Sequence, residues 1–93
     1  MKNNRPKWQI YLSEQLEKND WISDIDDEGV NHLTKQFSYI NTESNKTEYY
    51  TKSTTLRTTV ISKDLFEAIL VDQCKFSKDK VNEVIKQFEG IVY

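Results

Sequence analysis

A chain of 93 residues, 37% hydrophobic and 30% charged, can bury one modest core, and its four Phe, five Tyr and two Trp set it apart from disordered sequences. A formal net charge of −2 excludes a uniformly basic coat, so any face for a polyanion has to be local. The single cysteine, Cys74, excludes a disulfide framework and fits a reducing cytoplasm, and no apolar run nears the roughly 20 residues that span a bilayer.

The opening MKNNRPKWQI carries basic residues with no apolar stretch behind them, so no secretory signal is expected, and residues 1–5 read as a flexible basic tail. Asn4 is placed to cap a helix that starts at Pro6. Trp8, Tyr11, Leu12 and Leu16 recur at helical spacing, which predicts a helix from Pro6 to Lys18. Two readings fit residues 20–32. One is a strand from Trp21 to Ile25 and a turn at Asp27, Glu28 and Gly29; the other is a helix capped by Ser23. Four acids and a Gly crowded together are poor helix interior, which favours the strand and turn.

Residues 33–41 alternate, with Leu33, Phe37 and Tyr39 on one face and Thr34, Gln36 and Ser38 on the other. Lys35 interrupts the apolar face and marks an edge. A polar turn at residues 42–46 leads into a second strand from Glu48 to Ile61, with Leu56 and Val60 on the face of Tyr50 and Thr55, Arg57 and Thr59 opposite. Ser62 and Ser77 are placed to cap two further helices, with Asp79 in the first turn of the second. The stripe Val81, Val84, Ile85, Phe88 and Val92 extends that last helix to the end of the sequence. Cys74, among apolar helix positions, reads as a small core residue.

Little here points to catalysis. His32 is the one histidine, two glycines cannot build most phosphate or nucleophile loops, and no C-x-x-C spacing occurs. No catalytic residue, cofactor or metal is expected. Asp24 and Asp26 have the spacing that opens a calcium loop, but Lys35 stands where the bidentate Glu belongs. The charge is segregated. Residues 35–63 hold Lys35, Lys46, Lys52, Arg57 and Lys63 against Glu43 and Glu48, whereas residues 20–28 hold five acids and no base. A hairpin with Lys, Arg, Thr and Ser on one face can lie against phosphates or enter a groove. The plainer reading of the same residues is a solvated sheet face whose lysines discourage edge pairing.

The segment RTTVISKDLFEAILVDQCKFSKDKVNEVI resembles a ribbon-helix-helix repressor: a Thr/Arg strand, a first helix, then a Ser-capped second helix. That resemblance implies Arg57, Thr55 and Thr59 as the base-reading face of a strand paired with its mate in a homodimer, with Lys75 standing where the family places Gly. The same region is similar to a helix-turn-helix, through Val71, Phe76, Ser77, Val81 and Ile85, which implies that Lys78, Lys80 and Asn82 face DNA. It is also similar to the helical half of bacterial histone-like proteins, which place their sheet after the helices. Each likeness covers about a third of the chain, and all three families bind DNA.

The expected fold is α+β: an N-terminal helix, an antiparallel hairpin or three-stranded meander, and a C-terminal helix pair. Its expected core is Trp8, Leu12, Leu16, Leu33, Phe37, Leu56, Val60, Phe66, Ile69, Leu70, Val81, Ile85 and Phe88. The expected function is a non-enzymatic DNA-binding accessory or regulatory protein of the cytoplasm, in the style of a phage, plasmid or other mobile element. Its nucleic-acid residues would be Lys35, Lys46, Lys52, Thr55, Arg57, Thr59, Lys78 and Lys80. The alternative is a protein-binding inhibitor or adaptor, such as a phage anti-defence or host-takeover protein. It would act through Asp24, Asp26, Asp27 and Glu28 or an exposed Trp21, Tyr49 or Tyr50.

Overall fold

The computed structural model describes residues 5–93, and its first element is helix α1, Lys7–Glu17. The cap position falls at Pro6, whose extended backbone (ψ 153°) feeds the helix without a side-chain cap; Asn4 lies outside the described residues. The buried face of α1 is wider than its apolar stripe: Gln9 and Ser13 are buried beside Trp8, Leu12 and Leu16. The helix stops at Lys18, and Asp20 turns the chain with φ 71° while the Trp21 N–H donates to the Leu16 carbonyl at 3.1 Å.

Residues 20–32 form a strand and a turn. Strands β1 (Ile22–Ile25), β2 (Asn31–Asn41) and β3 (Lys46–Leu56) build one antiparallel sheet in the order β1-β2-β3. Both hairpin turns rest on side chains that fold back onto the backbone. In the first, Asp26 Oδ1 accepts from the Glu28 and Val30 N–H groups at 2.9 and 3.1 Å, and Gly29 supplies the positive φ, 86°. In the second, Asn41 Oδ1 accepts from the Glu43 N–H at 3.0 Å, and Asn45 takes the left-handed position at φ 55°.

Strand β3 ends at Leu56, five residues short of the expected strand end at Ile61. Residues 57–60 are a bend, and the chain resumes as the two-residue strand β4, Ile61–Ser62. The Ser62 hydroxyl caps α2 (Lys63–Asp72) by accepting from the Leu65 N–H at 3.2 Å, and the Ser77 hydroxyl caps α3 (Lys78–Ile85) through the Lys80 N–H at 3.2 Å. Lys75 occupies the left-handed position of the intervening turn with φ 62°.

Helix α3 is shorter than its apolar stripe. It gives way at Lys86 to a tight turn, and Ile91–Val92 form strand β5, which runs parallel to β4 with Ile61 opposite Ile91. Gly90 makes this possible. Its φ is 87°, and a Cβ there would lie 3.0 Å from Trp8 Cδ1. Val92 is therefore an exposed strand residue and not the last rung of a helix.

One core joins the layers: Trp8, Leu12 and Leu16 of α1, Leu33 and Leu56 of the sheet, and Phe66, Ile69, Leu70, Val81, Val84 and Ile85 of the helix pair. Ile61 and Ile91 close it below, and Cys74 is buried, its thiol pushed up to about 11 by burial. Four expectations need correction. Trp21 is buried, at 5% exposure, because the end of α1 folds it under the sheet; Val60 is 58% exposed, because the bend after Leu56 turns it outward. Phe37 and Phe88 are only half-buried, packed against the core margin. Among the described residues no helix is long and apolar enough to cross a membrane.

Polar side chains tie α1 to the sheet. Gln9 Nε2 lies 3.0 Å from the Gly29 carbonyl, 2.9 Å from that of Leu56 and 3.0 Å from that of Arg57, while its Oε1 accepts from Arg5 Nε. Asn31 Nδ2 donates to Ser13 Oγ at 2.7 Å, and Asn31 Oδ1 accepts from Ser23 at 2.6 Å. Gln9→Ala would leave buried carbonyls without a donor, so a loss of about 2–3 kcal/mol is expected in urea unfolding; a loss under about 0.5 kcal/mol would contradict the clamp. Gly90→Ala combines backbone strain with the Trp8 contact and is expected to cost about 1–3 kcal/mol in the same measurement.

Candidate nucleic-acid interface

Strand β1 pairs with β2 only from Asn31 to Thr34, so residues 35–41 of β2 have β3 as their sole neighbour. At about 3.4 Å per residue, this two-stranded arm reaches roughly 20 Å before its turn. The radius of gyration, 15.1 Å, exceeds the ~12 Å of a compact chain this size, and the longest dimension is 48 Å.

The register decides what each face of the arm carries. Cross-strand partners share a face, so Lys35 stands beside Lys52, Phe37 beside Tyr50, Tyr39 beside Glu48 and Asn41 beside Lys46. This face continues outward from buried Leu33 and Leu56. The opposite face has no Lys, Arg, Asp or Glu along the arm: Gln36, Ser38 and Ile40 from β2, Thr47, Tyr49, Thr51 and Ser53 from β3.

On the first face the rings run in a line. Trp21 meets Phe37 edge-on at 6.3 Å, Phe37 stacks on Tyr50 at 5.4 Å with 15° between planes, and Tyr50 meets Tyr39 at 6.1 Å. The ammonium groups of Lys35 and Lys52 sit 5.0 and 5.3 Å from the Phe37 ring centre. These two lysines have different work. Lys35 donates to the Asn19 carbonyl at 2.8 Å, which pins the root of the arm to the end of α1. Lys52 is exposed, as is Lys46 near the tip. Glu48, the one acid on this part of the face, accepts from Tyr39 Oη and Asn41 Nδ2; the Tyr39 bond holds its carboxyl below the usual range and raises the Tyr39 hydroxyl.

The other expected contact residues lie elsewhere. Thr55 is on the polar face at the root of the arm, whereas Arg57 and Thr59 lie beyond β3, in the bend. Thr55 and Arg57 line a shallow cleft with Val60, Ser62 and Leu65, and the Thr59 carbonyl faces the Trp8 indole N–H at 3.4 Å. The strand leading into α2 is β4, and its partner is β5 of the same chain. Lys78 and Lys80 sit on α3, with Lys80 4.3 Å from the Phe76 ring centre. Among the described residues none of Lys46, Lys52, Arg57, Lys78 and Lys80 has a carboxylate within 4.0 Å.

The structure thus brings Lys35, Lys46 and Lys52 onto one face and leaves Arg57, Thr59, Lys78 and Lys80 apart from it. The rings between these lysines do not stand out as a site in the sequence, where Phe37 reads as core and Tyr50 as a contact for a protein partner. The signal was the odd-numbered alternation of β2 matched to the even-numbered alternation of β3, and it becomes legible only with the register.

The acidic turn divides likewise. Asp24, Asp27 and Glu28 are exposed, but Asp26 is taken up by its own turn and by His32 Nε2, 3.0 Å from Asp26 Oδ2. No protein-family model matches the chain, and neither a curated protein nor a solved structure is significantly similar to it.

The His32 bond, ahead of the Val30 and Glu28 amides, holds the Asp26 carboxyl below its ordinary value. A depressed carboxylate contributes fully above the unfolded-state value, and that contribution is lost as pH falls through the lower folded-state value. The Glu28 and Val30 amide resonances are expected to titrate together with a midpoint below the usual carboxylate range, and Asp26→Asn is expected to abolish that titration. A midpoint at or above the ordinary Asp value would contradict the turn-capping role.

Proposed function

We propose that the protein is a non-enzymatic DNA-binding accessory or regulatory protein that engages its ligand with the β2–β3 arm. The observation that carries this reading is the arm face on which Lys46 and Lys52 stand exposed beside a line of aromatic rings. A two-stranded ribbon is narrow enough for a nucleic-acid groove, and ammonium groups without carboxylate partners gain by displacing counterions from phosphates. The net charge of −2 does not oppose this, because a binding face needs only a local excess of cations: Asp24, Asp26, Asp27 and Glu28 lie at the β1–β2 turn, away from Lys46 and Lys52 on the arm.

The acidic turn supports a second reading, a protein-binding inhibitor or adaptor. Only Asp24, Asp27 and Glu28 are offered to a partner there, since Asp26 is committed to the turn.

Fluorescence anisotropy on labelled random-sequence DNA, supplied both as single strand and as duplex, separates the two. If Lys46 and Lys52 each neutralise one phosphate, a rise from about 50 to about 200 mM salt lowers affinity roughly tenfold. Lys46→Ala with Lys52→Ala is expected to remove most of the binding and flatten the salt slope by about two. Neutralising Asp24, Asp27 and Glu28 together is expected to leave DNA affinity intact or higher. Absence of binding to either form at the lower salt would overturn the assignment and turn attention to the acidic turn.

A further inference from the structure

Resting on the reading above, we infer that the arm takes unpaired bases, so that its preferred ligand is a single strand stacked on Tyr39 and Tyr50. Four observations converge on this. Tyr50 and Tyr39 are 43% and 49% exposed although they belong to the face that, nearer the body, forms the core. Their rings are not isolated. They extend the line that begins at buried Trp21 and passes through Phe37, so the platform is ordered before any ligand arrives.

The stacked pair explains which partner suits it. Phe37 and Tyr50 stand directly opposite each other across the two strands with their rings nearly parallel. A base is the flat, polarisable group that can continue such a stack. In a duplex the base faces are already taken by their neighbours, and only edges and phosphates remain. An unpaired base offers its whole face and stacks on Tyr or Phe with little dependence on sequence.

Cations complete the match. Lys52 stands two residues inward from Tyr50 on the same face, and Lys46 stands at the tip, beyond Tyr39. Ammonium groups flanking a line of rings suit a chain that presents bases and phosphates in alternation. Glu48 lies between them, but its two oxygens are occupied by Tyr39 and Asn41, which also fix the Tyr39 ring in place. The opposite face, made of Thr, Ser and Gln with Tyr49 and Ile40, lacks this combination of charge and stacked rings.

The test is an anisotropy titration of the full chain with a labelled oligothymidylate strand and, separately, with the same strand annealed to its complement, at about 50 mM salt. The single strand is expected to bind at least about tenfold more tightly than the duplex. Tyr50→Ala is expected to weaken single-strand binding about tenfold and leave duplex binding within about twofold. Tyr50→Phe keeps the ring and is expected to restore the affinity, which separates stacking from the hydroxyl. Circular dichroism melts of each variant check that the arm has folded. Lys52→Ala is expected to weaken both ligands. Equal or tighter duplex binding, or a folded Tyr50→Ala protein that binds the single strand normally, would overturn the inference while leaving DNA binding by the arm standing. Failure of both ligands to bind would overturn the two readings together.

Discussion

The Gln9 carboxamide is the point at which three separate stretches of backbone meet helix α1. Its two N–H groups are shared among the carbonyls of Gly29, Leu56 and Arg57, so one side chain fixes the β1–β2 turn, the end of β3 and the start of the following bend. Buried carbonyls have no water to fall back on, which makes this contact specific as well as stabilising. A helix that slid along or rolled over the sheet would leave all of them empty. The Ser13–Asn31–Ser23 chain adds a second tie one helical turn further on, reaching β2 and β1. With α1 held in this way, Leu33 and Leu56 of the sheet share one buried core with Trp8, Leu12 and Leu16 of the helix, while the outer part of the β2–β3 hairpin carries no third strand.

The order of elements was legible because several kinds of pattern agreed. Alternation marked β2 and β3, serines marked the starts of α2 and α3, and the acid-rich Gly turn marked the first hairpin. The misreadings have local physical causes. Apolar spacing cannot tell a helix from a tight turn followed by a strand when both bury the same residues, so the stripe through Val84 and Ile85 ran on into Phe88 and Val92. Gly90 was the clue, since a positive φ beside an indole is incompatible with helix. Val60 and Arg57 were placed by extending a strand that the backbone leaves at Leu56. Gln9 was invisible as a core residue because its value lies in acceptors far away in sequence.

The candidate site was legible in part for a related reason. Charge segregation is a property of composition and survives without coordinates, so Lys46 and Lys52 could be singled out. Which side chains stand between them depends on pairing across the hairpin, and a shift of one residue would move Tyr50 to the other face. The asymmetry between two neighbouring lysines is also tertiary. Lys35 reaches the carbonyl at the end of α1, and Lys52, its cross-strand partner, has no such anchor. Like-charged residues directly opposite one another normally repel; here one is bound to a helix terminus and both lie over the Phe37 ring, which moderates that cost.

The parallel pairing of Ile61 with Ile91 has a kinetic corollary. A hairpin such as β2–β3 joins residues close in sequence and can zip within about 1–10 μs. Parallel strands cannot meet until the chain between them has doubled back, so the pairing of β4 with β5 carries a larger loop-closure cost than the hairpin does. The N–H of Ile61 bonds to the Gly90 carbonyl at 2.9 Å, a contact between residues 29 positions apart. On this topology the arm is expected to assemble early from local contacts and the small clasp of β4 and β5 to latch late, in which case loosening the clasp would hasten unfolding more than it would delay folding.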